Sequence, residues 1–205
     1  LIANKMKQIQ YNANITGAGS YLPKKILTNN DLEKLVETSD QWIQTRTGIR
    51  ERRIVRSGEA SAEMSTQAVI NLMKKYNLSS EEIDAIIVAT ITPDMMFPAT
   101  AALVQNNINA NNAWGYDLSA ACSGFLFALQ SGASLISSRQ CNKVIVIGVD
   151  TMSSILDFKD RNTCILFGDG AGAVLLEPSE EFGIIDSELR IDGRGADYLK
   201  MPAGG

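Results

Sequence analysis

The chain has 205 residues, 45% hydrophobic and 20% charged, with a formal net charge of −4; this is ordinary globular usage and excludes disordered and collagen-like classes. At roughly 150 residues per domain the length suits one large domain or two small ones, enough to bury a substantial core. It contains three Cys and no His, so these residues alone cannot supply Ser-His-Asp or Cys-His chemistry, an HExxH zinc site or an imidazole pH switch, and the scattered Cys form neither a disulfide framework nor a metal pair.

The chain opens on Leu, and LIANKMKQIQ lacks the apolar core of a signal peptide, which leads us to expect a cytosolic or plastid-stromal setting. Residues 1–13 read as an N-terminal extension and residues 14–20 as a first strand. A short helix is expected from Asn29 or Asn30, ahead of DLEKLVE, because Asn is a favoured N-cap. The spacing of Ala68, Val69, Leu72, Met73 and Tyr76 puts them on one face of a helix over residues 61–76. Lys74 and Lys75 suit its last turn and Asn77 its cap. Further strands are expected at residues 83–92, 113–121, 143–150, 171–177 and 184–190. The continuous aliphatic runs IIVATI, KVIVIGV and AVLLE are those of strands covered on both faces. Residues 124–136, GFLFALQSGASLI, are apolar almost all round, which predicts a helix buried within the protein. The alternation predicts an α/β layered domain with a mainly parallel sheet. No apolar run approaches the ~20 residues of a membrane helix. The chain stops at PAGG, after an apparent turn, and with the initial Leu this leads us to expect a fragment.

Two glycine clusters invite a nucleotide-binding reading, and neither sustains it. Gly17-Ala-Gly19-Ser-Tyr-Leu22 follows a strand, but Leu stands at the third glycine position and Pro23 comes next, so no helix opens to receive a pyrophosphate. Gly168-Asp-Gly170-Ala-Gly172 leads into a strand. Tight turns and close backbone packing account for both.

Cys122 is the sharpest feature. In DLSAACSGFLFAL an extended run gives way to the apolar helix, and a thiol at a helix N-terminus feels the positive end of the dipole, which favours thiolate. The small neighbours Ala120, Ala121, Ser123 and Gly124 allow a sharp turn like a nucleophile elbow, with sulfur in place of oxygen. A small Cys packed as a hydrophobe fits the same spacing. Cys141 and Cys164 lack this setting and read as structural. A third feature is TSDQWIQTRTGIRERR, residues 38–53, four Arg beside Trp42 in an acidic chain. Trp offers a stacking face and Arg a bidentate fork for phosphate, which suits a nucleotide-bearing ligand such as coenzyme A. A solvated basic face with a packed Trp fits equally. Nucleic acid is disfavoured by the net acidity.

The segments ITGAGSYLP, TSDQWIQTRTGIRERRI, FPATAALVQ, DLSAACSGF, DRNTCILFGDGAGAVLLE and DYLKMP together resemble the β-ketoacyl-acyl-carrier-protein synthase III family, over nearly all of the chain from residue 14 onward. The resemblance implies a thiolase-like layered α/β fold built from two similar halves. Residues 14–178 would be the half that carries the nucleophile, and residues 179–205 the start of the connection to the second. It also implies a homodimer, no cofactor, no metal, and acyl-CoA and malonyl-acyl-carrier protein as substrates. Cys122 matches the nucleophile that takes the acyl group as a thioester, and its own N–H matches an oxyanion-hole donor. Trp42 and Arg161 match the pair that clasps the adenine end of coenzyme A, and Arg46 and Thr47 match positions lining the same tunnel. Phe97 is similar to the residue that reaches across the dimer, and Phe167 and Leu199 match apolar positions beside the nucleophile. A His and an Asn serve the family's decarboxylation step from its second half, and we expect them outside these 205 residues. The chain alone is therefore expected not to complete a condensation. A truncated homologue that binds coenzyme A or carrier protein without catalysis, and a related thiolase-fold acyltransferase, are the competing readings.

Overall fold

The computed structural model describes residues 12–201. Most of the expected N-terminal extension lies outside the described residues, and its last two residues already belong to the first strand. In chain order the elements are β1 (Asn12–Tyr21), β2 (Lys25–Thr28), α1 (Asn29–Leu32), α2 (Asp40–Thr47), β3 (Glu51–Ile54) and α3 (Ser61–Tyr76). They continue with β4 (Ala85–Ala89), α4 (Thr100–Asn107), β5 (Trp114–Leu118), α5 (Gly124–Ser137), β6 (Val144–Thr151), α6 (Arg161–Cys164) and β7 (Asp169–Ser179).

One five-stranded sheet runs in the order β1-β7-β6-β4-β5. β4 pairs in parallel with β5 and β6, whereas β7 is antiparallel to both β6 and β1. The sheet is thus mixed, with its parallel part confined to the three strands joined by helical crossovers, as such connections require. The central strands β4 and β6 are buried on both faces because helices cover both. Ile86, Val88, Ile145 and Ile147 pack with Val69, Leu72 and Val104 of α3 and α4 on one side. Ile87, Val144 and Val146 pack with Ala128, Ala133 and Ile136 of α5 on the other.

Helix α3 has the expected bounds, and Asn77 closes it in a left-handed conformation, φ 52°. Gly19 lets β1 and α3 approach closely: a Cβ there would lie 2.4 Å from the carbonyl oxygen of Ala68 and 2.7 Å from Leu72. Close packing, and not phosphate binding, accounts for that glycine.

Three expectations change. The N-cap of α1 is Thr28, whose hydroxyl accepts from the N–H of Asp31, and not Asn29 or Asn30. Residues 184–190 form no strand: the N–H of Ile184 donates to the carbonyl of Ala13 at 2.8 Å, the hydroxyl of Ser187 donates to Oε1 of Gln130 at 2.7 Å, and Ile185 is 100% exposed. No neighbouring strand among the described residues offers that segment a ladder. Helix α5 is half-covered rather than enclosed. Its small residues Gly124, Ala128, Gly132 and Ala133 face the sheet, while Leu126 on the far side is 55% exposed, because one layer alone packs on it among the described residues.

A smaller lobe packs beside the sheet. β2 and β3 form an antiparallel pair, and α1, α2 and α6 enclose a cluster of Leu32, Ile43, Cys164 and Ile165. This lobe carries the Trp42 region.

Candidate active site

β4, β5 and β6 run in parallel, and their carboxyl ends open on a cleft of about 320 Å³, the usual place for a site in an α/β sheet. β5 ends at Leu118, and one turn of 3-10 helix over Ala121–Ser123 leads directly into α5. Cys122 sits in that turn. It is exposed and lines the cleft with Ala89, Phe125, Gly148 and Asp150. Ala121, just before it, has φ 47°, a left-handed conformation that costs a non-glycine residue about 1 kcal/mol or more. That backbone reversal lifts the thiol out of the strand-to-helix turn, as the small-residue run around Cys122 implies. The N-cap of α5, Ser123, makes no side-chain hydrogen bond to the helix, so the start of this 14-residue helix is not masked by a side chain.

The cleft walls are fixed by two carboxylates. Asp150 accepts from the hydroxyls of Thr90 and Thr92 at 3.2 and 3.1 Å and from the N–H of Ile91 at 2.9 Å, which ties the end of β6 to the loop after β4. Asp169 is buried and accepts from the N–H of Val55 and from the N–H and hydroxyl of Ser153 at 2.8, 2.8 and 2.6 Å. Neither residue stands out in the sequence; a lone Asp at a strand end carries no recognisable signal.

The other two thiols differ in kind. Cys141 and Cys164 are buried, and burial is the first cause that pushes each thiol up from its ordinary pKa. They fit the structural role read for them.

Trp42 and its arginines form a second centre. Ser39 caps α2 by accepting from the N–H of Trp42 at 3.1 Å, and Gly48 ends the helix at φ 73°. Within it, the Arg46 guanidinium carbon lies 4.3 Å from the centre of the Trp42 ring. Arg161, from α6, lies over the same ring at 4.2 Å. The structure therefore brings Trp42, Arg46 and Arg161 together from positions more than 110 residues apart in sequence. The Nε of Arg161 is buried without a hydrogen-bond partner. The segment that begins with Arg161 continues to Gly168 and Gly170 in the wall of the Cys122 cleft, so one short stretch links the two centres.

The remaining candidates are placed otherwise. Thr47 spends its hydroxyl locally, donating to the carbonyl of Ile43 at 2.8 Å and accepting from the N–H of Ile49 at 3.0 Å. Phe167 is half-buried beside the cleft residue Gly168. Phe97 is 84% exposed in the loop before α4, Leu199 is 80% exposed in the segment after β7, and neither is among the residues that line the cleft. Arg52, one of the four clustered arginines, is neither a ligand-facing nor a solvated residue: it is 4% exposed. No group of metal-ligating side chains is present among the described residues, and no helix is long and apolar enough to cross a membrane.

Comparison with known proteins agrees with this geometry. The family model for 3-oxoacyl-[acyl-carrier-protein] synthase III matches residues 116–193, which include the Cys122 turn, α5 and β7. The chain is 55% identical over 197 residues to the β-ketoacyl-[acyl-carrier-protein] synthase III of Chlorobaculum tepidum, covering 94% of this chain and 60% of that protein. Among solved structures it is similar to the synthase III of Thermus thermophilus, at a TM-score of 0.90 and 40% identity over 94% of this chain and 60% of the other. The Aquifex aeolicus synthase III gives a TM-score of 0.80 and 52% identity over 82% and 55%. The chain thus spans about 60% of the length of the curated relative it matches. With the thiolase-like fold, the exposed Cys122 and the Trp42–arginine stack in place, the chain belongs to the β-ketoacyl-acyl-carrier-protein synthase III family.

Proposed function

We propose that Cys122 accepts the acyl group of a short acyl-CoA as the first half of a decarboxylative condensation with malonyl-acyl-carrier protein, the step that starts type II fatty-acid synthesis. The observation that carries this reading is Cys122 itself: one thiol of three, exposed in a cleft at the head of a 14-residue helix. The thiolate attacks the acyl carbonyl carbon, the bond from that carbon to the sulfur of coenzyme A breaks, and coenzyme A leaves as a thiol after taking up a proton. The N–H of Cys122 is the expected donor to the developing oxyanion. In the second half, malonyl-carrier protein loses CO₂, its carbanion attacks the Cys122 thioester, and the thiolate is released with the β-ketoacyl product. Covalent catalysis divides one hard condensation into two transfers. The 205 residues contain no His, so a His donor for the decarboxylation does not come from them.

Trp42, Arg46 and Arg161 are the proposed grip on the nucleotide end of coenzyme A, by stacking and by pairing with phosphate. Residues 14–178 are the proposed nucleophile-bearing half, with residues 179–205 starting the link to the second. A homodimer is part of the same reading: β5 is an edge strand of the sheet, and Phe97 projects from the loop before α4. The reaction requires no cofactor, and the proposed setting is the cytoplasm, in line with bacterial relatives.

Incubation with radiolabelled acetyl-CoA tests the reading. Label is expected on a peptide containing Cys122 and is lost in Cys122→Ala. Binding of coenzyme A without label on Cys122 would favour a non-catalytic binding subunit instead.

A further inference from the structure

Trp42 and Arg161 come from α2 and α6, and two buried side chains, Arg52 and Asn29, connect those two helices. Arg52, in β3, donates from Nε to the carbonyl of Ile165 at 3.1 Å and again to that oxygen from Nη2. Its Nη1 donates to Oδ1 of Asn29 at 2.5 Å. Asn29 is buried as well, and its Nδ2 donates to Oδ1 of Asp40 at 2.7 Å and to the carbonyl of Ile49 at 2.9 Å. Asp40 also accepts from the side chain of Gln44 at 2.7 Å. Ile165 is the C-cap of the helix that opens with Arg161, and Asp40 is the first residue of the helix that holds Trp42.

We propose that Arg52 is a positioning residue: through Ile165 on one side and Asn29 and Asp40 on the other, it sets the spacing between Arg161 and Trp42 and so tunes the grip on a nucleotide-bearing thioester. The inference rests on the coenzyme A reading above. Among the described residues no carboxylate lies within ion-pair distance of Arg52, so its charge is met by the carbonyl of Ile165 and the amide oxygen of Asn29. Burying a guanidinium in this way is costly. An apolar side chain would fill the space beside Ile165 and Gly168 without that cost. It could not hold one carbonyl and one amide oxygen at a fixed separation, which the planar fork of Arg does and the point charge of Lys does not. Both polar side-chain atoms of Asn29 are committed in the same network, so a shift at either end is passed to the other.

The test compares acetyl-CoA with acetyl-pantetheine, which lacks the nucleotide, as donors for acylation of Cys122 in the full chain. Wild type is expected to prefer acetyl-CoA. Arg52→Lys, and Asp40→Ala at the outer end of the network, are each expected to lower the ratio of the two rates about tenfold, the effect of weakening one hydrogen bond to a charged group. The loss is expected in the concentration needed for half-saturation, with the maximal rate kept. Asp40 lies at the rim, so its variant reports even if the Arg52 variant does not fold. Equal losses for both donors would show a merely structural role, and an unchanged ratio would also overturn the proposal. If wild type itself shows no preference for acetyl-CoA, the coenzyme A reading falls, and the positioning role falls with it.

Discussion

Arg161 rests directly on Trp42, its guanidinium carbon 4.2 Å from the centre of the indole. That is van der Waals contact, and a planar base between the two would need roughly twice the ~3.5–4 Å contact distance. Seating an adenine there therefore requires Arg161 to withdraw from the ring, exposing the indole to a new neighbour. We expect coenzyme A to change tryptophan fluorescence in wild type and in Trp114→Phe, and to leave it unchanged in Trp42→Phe. A signal that persists without Trp42 would place the ligand elsewhere. Arg161→Ala is expected to weaken coenzyme A roughly 2- to 30-fold, the range spanned by exposed to desolvated cation–π contacts.

The three thiols differ in access. Cys122 is exposed, whereas Cys141 and Cys164 are buried, and burial raises the pKa of both. Alkylation needs an accessible thiolate. Iodoacetamide is expected to modify Cys122 rapidly in the native protein, and the other two only once denaturant opens the fold. Prior incubation with acetyl-CoA is expected to protect Cys122 from the reagent. Native-state modification of Cys164 at a comparable rate would contradict the packing of the small lobe.

Gly19 tests the packing reading of the first glycine cluster. With a Cβ 2.4 Å from the Ala68 carbonyl oxygen and 2.7 Å from the backbone of Leu72, β1 and α3 must move apart to admit Gly19→Ala. Overpacking of this kind costs typically about 1–3 kcal/mol. We expect a lower Tm with affinity for coenzyme A retained; a selective loss of affinity at unchanged Tm would revive a ligand-binding role for this glycine.

What could be read from the amino acids depended on whether the signal was local. Helix α3 announced itself through the spacing of Ala68, Val69 and Leu72, with Asn77 at its end. The Cys122 turn was equally legible, since a strand, four small residues and an apolar helix leave little freedom in between. Arg52 was opaque. It is one of four arginines within eight residues, and only the approach of α6, over a hundred residues later, decides that this one is buried. Helix α5 shows the converse limit: its composition indicates burial all round, whereas which neighbour covers Leu126 is a property of packing and not of the segment.

The corner that holds α1 and α2 is fastened by ionised carboxylates, and acid is expected to release it. The hydroxyl of Thr28, then Lys34, holds Asp31 down from 3.8 to about 2, as part of a capping box at the start of α1. Asp40 is likewise lowered, first by the Asn29 amide and then by Gln44. A carboxylate whose folded pKa lies below its unfolded value stabilises the fold fully above the unfolded value and loses that contribution as pH falls through the folded one. For Asp31 the window runs from about pH 4 down to about pH 2. Asp31→Asn is expected to melt below wild type at pH 5 to 7, with the two Tm values converging as pH approaches 2. A difference in Tm that stays constant from pH 6 to pH 2 would show that the ionised carboxylate does not hold this cap.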